Sequence, residues 1–166
     1  FMPEIGLIGA INAVVRQSDG KLVTVRTDFP FLERLNPDGT LDATFDPASI
    51  ASGFVNAIAV DASDRIILGG SFTTVGGASR NRIARLLMDG ALDTSFDPGT
   101  GANRTVFSVL PDVDGTIYIG GEFLTINDSS RSYIARLLEN GSLDSGYFSN
   151  LFFQTGRVFS LELQPD

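Results

Sequence analysis

An all-β fold, a partial β-propeller of about three antiparallel blades, is what this sequence predicts, and three observations carry the expectation. One phrase recurs at a spacing of 51 residues: Arg34-Leu-Asn-Pro-Asp-Gly-Thr-Leu-Asp42, Arg85-Leu-Leu-Met-Asp-Gly-Ala-Leu-Asp93 and Arg136-Leu-Leu-Glu-Asn-Gly-Ser-Leu-Asp144. A period near fifty residues is the length of a propeller blade or solenoid unit. The apolar stretches are short, rich in β-branched and aromatic residues, and bounded by Asp, Gly, Asn or Pro, which is the strand signature. Finally, 18 glycines and 13 phenylalanines, with no cysteine, histidine or tryptophan, suit a turn-rich chain with an aromatic core.

The elements follow in order. Ile11-Asn-Ala-Val-Val15 and Leu22-Val-Thr-Val25 read as two strands joined at Asp19-Gly20, a pair that favours tight hairpins because Gly tolerates positive φ. The same unit returns as Val55–Val60 with Ile66–Phe72, and as Val106–Leu110 with Ile117–Phe123. Asp114-Gly115 joins the last pair, whereas Ser63-Asp64 replaces it in the middle copy, where a less well specified turn is expected. Val158–Leu163 opens a fourth copy. The units are therefore 11–54 (degenerate), 55–105, 106–157 and the start of another at 158–166. Gly69-Gly70 and Gly120-Gly121 inside strands point to close backbone approach, and the first copy carries Val25-Arg26 there instead.

The second hairpin can be placed in register. Asn36-Pro37-Asp38-Gly39 suits a type I turn with Gly in the left-handed position, which sets Asn36 opposite Thr40, Leu35 opposite Leu41 and Arg34 opposite Asp42. Arg85–Asp93 and Arg136–Asp144 follow by the same count, giving three structural Arg–carboxylate clips. Asp-x-x-Phe comes next, with Phe45, Phe96 and Phe148 (after Tyr147) as expected plugs between sheets, as are Phe72 and Phe123.

Asp-Gly-(Lys or Thr)-(Leu or Ile), Gly-Gly-x-Phe and Arg-Leu-x-x-Asp-Gly-x-Leu-Asp with its following aromatic together resemble the delta-60 repeat family, from about Ile11 to the end of the chain. The Gly-Gly step is also similar to kelch repeats. The resemblance implies a bacterial β-propeller repeat, found in tandem in large secreted or surface-associated proteins, and it transfers no catalytic residue. Three blades do not close a ring of about 4–8. The ring is thus expected to be open, or to be completed by missing sequence or by other copies of the chain. Phe1 before Met2, and a final Gln164-Pro165-Asp166 that matches Gln17-Ser18-Asp19, read as the cut ends of a longer protein.

Composition excludes several functions. Twelve basic against 20 acidic residues leave −8, with no basic stripe for nucleic acid or an anionic membrane. No apolar run approaches the ~20 residues of a transmembrane helix. Without His or Cys there is no Ser-His-Asp triad, Cys nucleophile or ordinary zinc site. No cofactor is expected. Asp61, Asp64, Asp112 and Asp114 are candidate calcium ligands in inter-blade loops, against a plainer reading as solvated turns. The polar loops Thr74–Asn81 and Ile126–Ser132, with Arg80, Asn81, Arg82, Asn127 and Arg131, are the candidate places for a protein or glycan ligand. Asn127 and Asn140 also fit the glycosylation acceptor triplet. The expected role is a non-catalytic binding or adhesive module of an extracellular or cell-surface protein. The alternatives are a building block that assembles a filament or appendage blade to blade, and part of a polysaccharide-acting enzyme whose reactive residues lie elsewhere.

Overall fold

The computed structural model describes residues 10–26, 32–147 and 155–164. Its described residues form fourteen strands and no helix: β1 Ile11–Arg16, β2 Leu22–Arg26, β3 Leu32–Leu35, β4 Ile50–Ala51, β5 Val55–Val60, β6 Ile66–Gly70, β7 Thr74–Val75, β8 Ala78–Ser79, β9 Ile83–Leu86, β10 Val106–Pro111, β11 Ile117–Gly121, β12 Thr125–Ile126, β13 Ser129–Ser130 and β14 Ile134–Leu137. The antiparallel sheets β1-β2-β3, β5-β6-β9 and β10-β11-β14 are three successive blades, so the expected partial propeller stands.

Each blade opens with a hairpin closed in one way. The N–H of Gln17, Asp61 and Asp112 donates to the carbonyl of Lys21, Arg65 and Thr116 at 2.9, 3.1 and 2.8 Å. Gly20 and Gly115 take the left-handed position at φ 88° and 85°, and Asp64 takes it at 57° without being glycine. The middle turn is therefore as well closed as its neighbours. Its carboxylate also accepts a 2.8 Å bond from the N–H of Ser18 in the first blade, tying the two hairpins together.

The second hairpin matches its expected register. Asn36 N–H donates to Thr40 O at 2.8 Å, Asp42 N–H to Arg34 O at 2.8 Å, and Leu35–Leu41, Leu86–Leu92 and Leu137–Leu143 pair as single bridges. The fourth strand of each blade is thus reduced to one paired residue. Leu35 is buried but Leu41 is exposed, so in the first blade only half of that apolar pair reaches the core.

Opening strands stack side by side, β1 on β5 and β5 on β10. The glycine pairs make this possible. A Cβ on Gly69 would stand 2.7 Å from Val109 of the next blade, and one on Gly70 would stand 2.0 Å from the carbonyl oxygen of Phe54. The fourth unit repeats the arrangement: Val158 N–H donates to Gly121 O at 3.0 Å, and a Cβ on Gly120 would meet Val158 at 2.5 Å. Phe72, Phe96 and Phe123 are fully buried, joined by Ile66, Ile67, Leu68, Ile117 and Ile119 in two clusters that run across the junctions.

Two features correct the strand reading. Thr74–Asn81 and Ile126–Ser132 are not open loops: each folds as a tight hairpin, β7–β8 and β12–β13, with positive φ at both turn residues, Gly76-Gly77 and Asn127-Asp128. That is the turn whose twist matches flanking strands. The second feature is a strap. After Phe45 the chain leaves its own blade and climbs the outside of the next, with Asp46 N–H on Asp89 O, Ala48 N–H on Gly90 O and β4 paired with β7. Residues 97–103 do the same on the third blade, through Asp97 on Asn140, Asn127 on Gly101 and Asn103 on Thr125. Each sequence unit therefore spans parts of two blades.

Candidate functional site

Alternation of strand direction puts both kinds of turn, 17–21 with 36–40 and their equivalents, at one end of the blades. This is the turn face. The β7–β8 and β12–β13 hairpins lie at the opposite end.

Beneath the turn face, all three Arg–Asp clips form. Nε of Arg34, Arg85 and Arg136 lies 2.8, 2.7 and 2.9 Å from Oδ2 of Asp42, Asp93 and Asp144. The same aspartates cap the following turn, with Oδ1 accepting from the backbone N–H of Thr44, Ser95 and Gly146. Each guanidinium also covers an aromatic ring, at 4.7 Å for Phe45, 4.8 Å for Phe96 and 3.6 Å for Tyr147. In the third unit Tyr147 thus holds the place of Phe45 and Phe96. Phe148, expected there, lies outside the described residues.

The clips also join blades, which the sequence reading had not seen. Arg34 Nη1 donates to the carbonyl of Met88, and Arg85 Nη1 to that of Glu139 at 2.7 Å, each 54 residues ahead in the next blade's second turn. Arg85 is 2% exposed, and Arg136, beyond which no fourth second turn is described, has a side chain 23% exposed. The carboxylates titrate accordingly. Asp42 is held well below the usual range, first by the Thr44 hydroxyl and Lys21, then by the Thr44 N–H and Arg34. For Asp93 burial opposes ionisation, yet Ser95 and Arg85 together hold it low, and Asp144 is held low chiefly by Arg136.

Clefts open between neighbouring blades on this face. One of 410 Å³ lies between the first two hairpins and is lined by Arg16, Gln17, Ser18, Asp61 and Asp64. A second, of 250 Å³, lies between the next two and is lined by Asp61, Arg65, Asp112, Asp114 and Glu139. A third, of 370 Å³, lies over the second clip and is lined by Arg65, Arg85, Ser95, Leu138, Glu139 and Asn140. Arg65 spans the last two, 2.7 Å from Asp61 and 3.2 Å from Glu139. Burial pulls its pKa down, but the two carboxylates together hold it above the ordinary guanidinium value.

The four calcium candidates are divided by this arrangement, with Asp64 in one cleft and Asp112 and Asp114 in another. Their oxygens serve turns: Asp61 accepts from Ser63 and Arg65, Asp112 from Val113, and Asp114 from the N–H and hydroxyl of Thr116. Among the described residues no group of three or more His, Cys, Asp or Glu is arranged to hold a metal.

At the opposite end, the candidate ligand residues grip the straps. Asn81 donates to Thr100 O at 3.0 Å, Arg82 to Ala102 O at 2.7 Å, and Asn127 accepts from Thr100 N–H at 3.1 Å. Arg80 bonds Ser79 O and lies 3.6 Å from Asp97, while Arg131 bonds the carbonyls of Ser130 and Ser145. Among the described residues these five hold separate partners: Asn81, Arg82 and Asn127 contact residues 100–102, while Arg131 bonds Ser130 and Ser145. The turn-face clefts were missed because they form between units, but the 54-residue carbonyl contact recurs and a period search for buried Arg would find its donor.

A family model described as "Domain of unknown function (DUF5122) beta-propeller" matches residues 17–45, 62–96 and 114–147, more than half of the chain. Each match runs from the first turn to the aromatic under the guanidinium. A crystal structure of a protein of unknown function from Bacteroides caccae is similar at 15% identity, over 81% of this chain and 50% of that one, with a TM-score of 0.45. This chain thus spans about half the length of that structure. The comparison with curated proteins finds no match. Among the described residues no helix is long and apolar enough to cross a membrane.

Proposed function

The chain belongs to the DUF5122 β-propeller family, and from that premise we propose that it is a non-catalytic binding module whose recognition surface is the turn face. One observation carries this reading. The buried clips and straps recur from unit to unit, whereas the turn residues beside the inter-blade clefts change, with Asp61 in the second blade where the first has Gln17 and Glu139 in the third where the second has Met88. A rigid repeat that holds its scaffold constant and varies its rim is built to present a surface. The delta-60 and kelch likenesses and an extracellular or cell-surface setting belong to the same proposal and rest on the repeated sequence motifs, the kelch likeness on the Gly-Gly step.

The test is a binding screen of the purified chain against arrays of glycans and peptides, repeated with Glu139→Gln and Arg80→Ala. Ligands lost with Glu139→Gln and kept with Arg80→Ala support the turn face. The reverse pattern moves recognition to the hairpin end, and turnover of any arrayed glycan ends the non-catalytic reading. The assembly reading has one observation in its favour, the exposure of Phe159 (66%) and Leu163 (42%) on the last described segment.

A further inference from the structure

The tips of the turns change in one direction along the chain. In the first turn of each blade, Ser18 gives way to Ala62 and then to Val113 at the equivalent place. In the second turn, Asn36-Pro37 gives way to Leu87-Met88 and then to Leu138-Glu139. Closing these turns does not require apolar residues, because Asn36 closes its own with a 2.8 Å bond from its N–H to Thr40 O. The apolar tips stand in solvent: Val113 is 93% exposed, and Leu87, Met88 and Leu138 are exposed with it. Charge follows the same gradient. The two turns of the first blade carry Asp19 and Asp38 against Lys21, and those of the second carry Asp61, Asp64 and Asp89 against Arg65. Those of the third carry Asp112, Asp114 and Glu139 with no basic residue. The net charge is thus −1, −2 and −3 from blade to blade, most of the chain's −8.

Val113 and Leu138 flank one surface. The 250 Å³ cleft lined by Val113 also has Asp61, Asp112, Asp114 and Glu139 on its walls against Arg65, and the 370 Å³ cleft lined by Leu138 shares Arg65 and Glu139 with it. Arg85 and Asp93 beneath are a buried pair and add no net charge. Resting on the binding-module reading above, we infer that the turn ends of the second and third blades dock a basic, partly apolar segment of a partner protein. Its lysines or arginines lie over the carboxylates, and its apolar side chains lie against Met88, Val113 and Leu138. Exposed apolar groups rimmed by polar ones are the mark of a protein-binding surface, and their removal from water favours association. The excess charge selects the partner, since it draws in a basic segment and turns away acidic proteins, nucleic acid and anionic membranes. A polyamine would match the charge but leave the tips in water. The first blade, with polar tips and a net charge of −1 on its turns, lies outside this surface.

The experiment titrates the chain by NMR with the acetylated, amidated peptide Lys-Lys-Leu-Val-Lys-Lys. One control peptide carries Glu for every Lys, and another carries Ser for Leu and Val. Saturable binding of the first peptide alone is expected, with shifts at Val113, Leu138 and Glu139 and an affinity that falls as salt rises. Two variants borrow the residue that another blade carries at the same place, so their turns should stay closed by thermal melt. Asp89→Asn with Asp112→Gln should weaken binding by about fivefold or more. Val113→Ser with Leu138→Asn should reduce the first peptide to the level of its Ser control. Equal binding of either control peptide, shifts confined to the end that carries Arg80 and Arg131, or folded variants that bind unchanged would overturn the inference. If the peptide fails while an arrayed glycan binds with Glu139 dependence, the basic partner falls and the binding-module reading stands. If neither binds, both fall.

Discussion

The energetic weight of this chain sits on single guanidinium groups that serve two blades at once. Arg85 is buried with Asp93 and bonds a neighbour's carbonyl, so Arg85→Ala strands a buried carboxylate and an acceptor together. Breaking a buried pair in this way costs about 3–5 kcal/mol. Arg136→Ala, at the more exposed clip, should cost about 1 kcal/mol. Urea denaturation of the two variants measures the difference, and equal losses would mean that the inter-blade carbonyl contributes nothing. Acid reads out the same groups. Asp42, Asp93 and Asp144 have folded pKa values below those of the unfolded chain, so the unfolded state binds more protons as pH falls. Their stabilisation is complete above the unfolded carboxylate pKa of about 4, and it is lost as pH drops from there through the lower folded values. Thermal melts between neutral pH and strong acid should show a flat region followed by a steady fall. A midpoint that rises on acidification would contradict the assignment.

Turns and strands respond to a different currency, backbone geometry. At Gly69 an added methyl meets side chains of Val106 and Val109, which can shift, and about 1–3 kcal/mol is expected for Gly69→Ala. At Gly70 it meets the backbone oxygen of Phe54 at 2.0 Å, so Gly70→Ala should lose more than that, or fail to fold. The order of the two melting points is the check. Asp128, at φ 61° in the β12–β13 turn, should accept glycine with a gain of up to about 1 kcal/mol, because Asn-Gly is the favoured pair for this turn. These elements also show what the sequence could tell. The period, the hairpin register, the clips and the reason for the glycine pairs were legible, because each is dictated within about ten residues or by a repeat that copies itself. The β7–β8 and β12–β13 hairpins were read as loops since Gly76-Gly77 and Asn127-Asp128 are flanked by runs too short and polar to show alternation. The cleft over the second clip was invisible, because its walls bring Arg65 together with Glu139, 74 residues away.

For the whole molecule, the open stack leaves apolar groups exposed at both ends, Ile11 and Val14 on β1 and Phe159 and Leu163 beyond the third blade. The net charge of −8 opposes their joining. The binding reading expects a monomer by light scattering at micromolar concentration and moderate salt. A larger species dispersed by Phe159→Ser would favour the assembly reading instead. The straps carry a further consequence. Since residues 46–51 and 97–103 belong by sequence to one unit and by position to the next, a gene that gains another 51 codons in frame gains a complete set of seams wherever the insertion falls. Unequal crossing-over can lengthen or shorten such an array without redesigning a boundary.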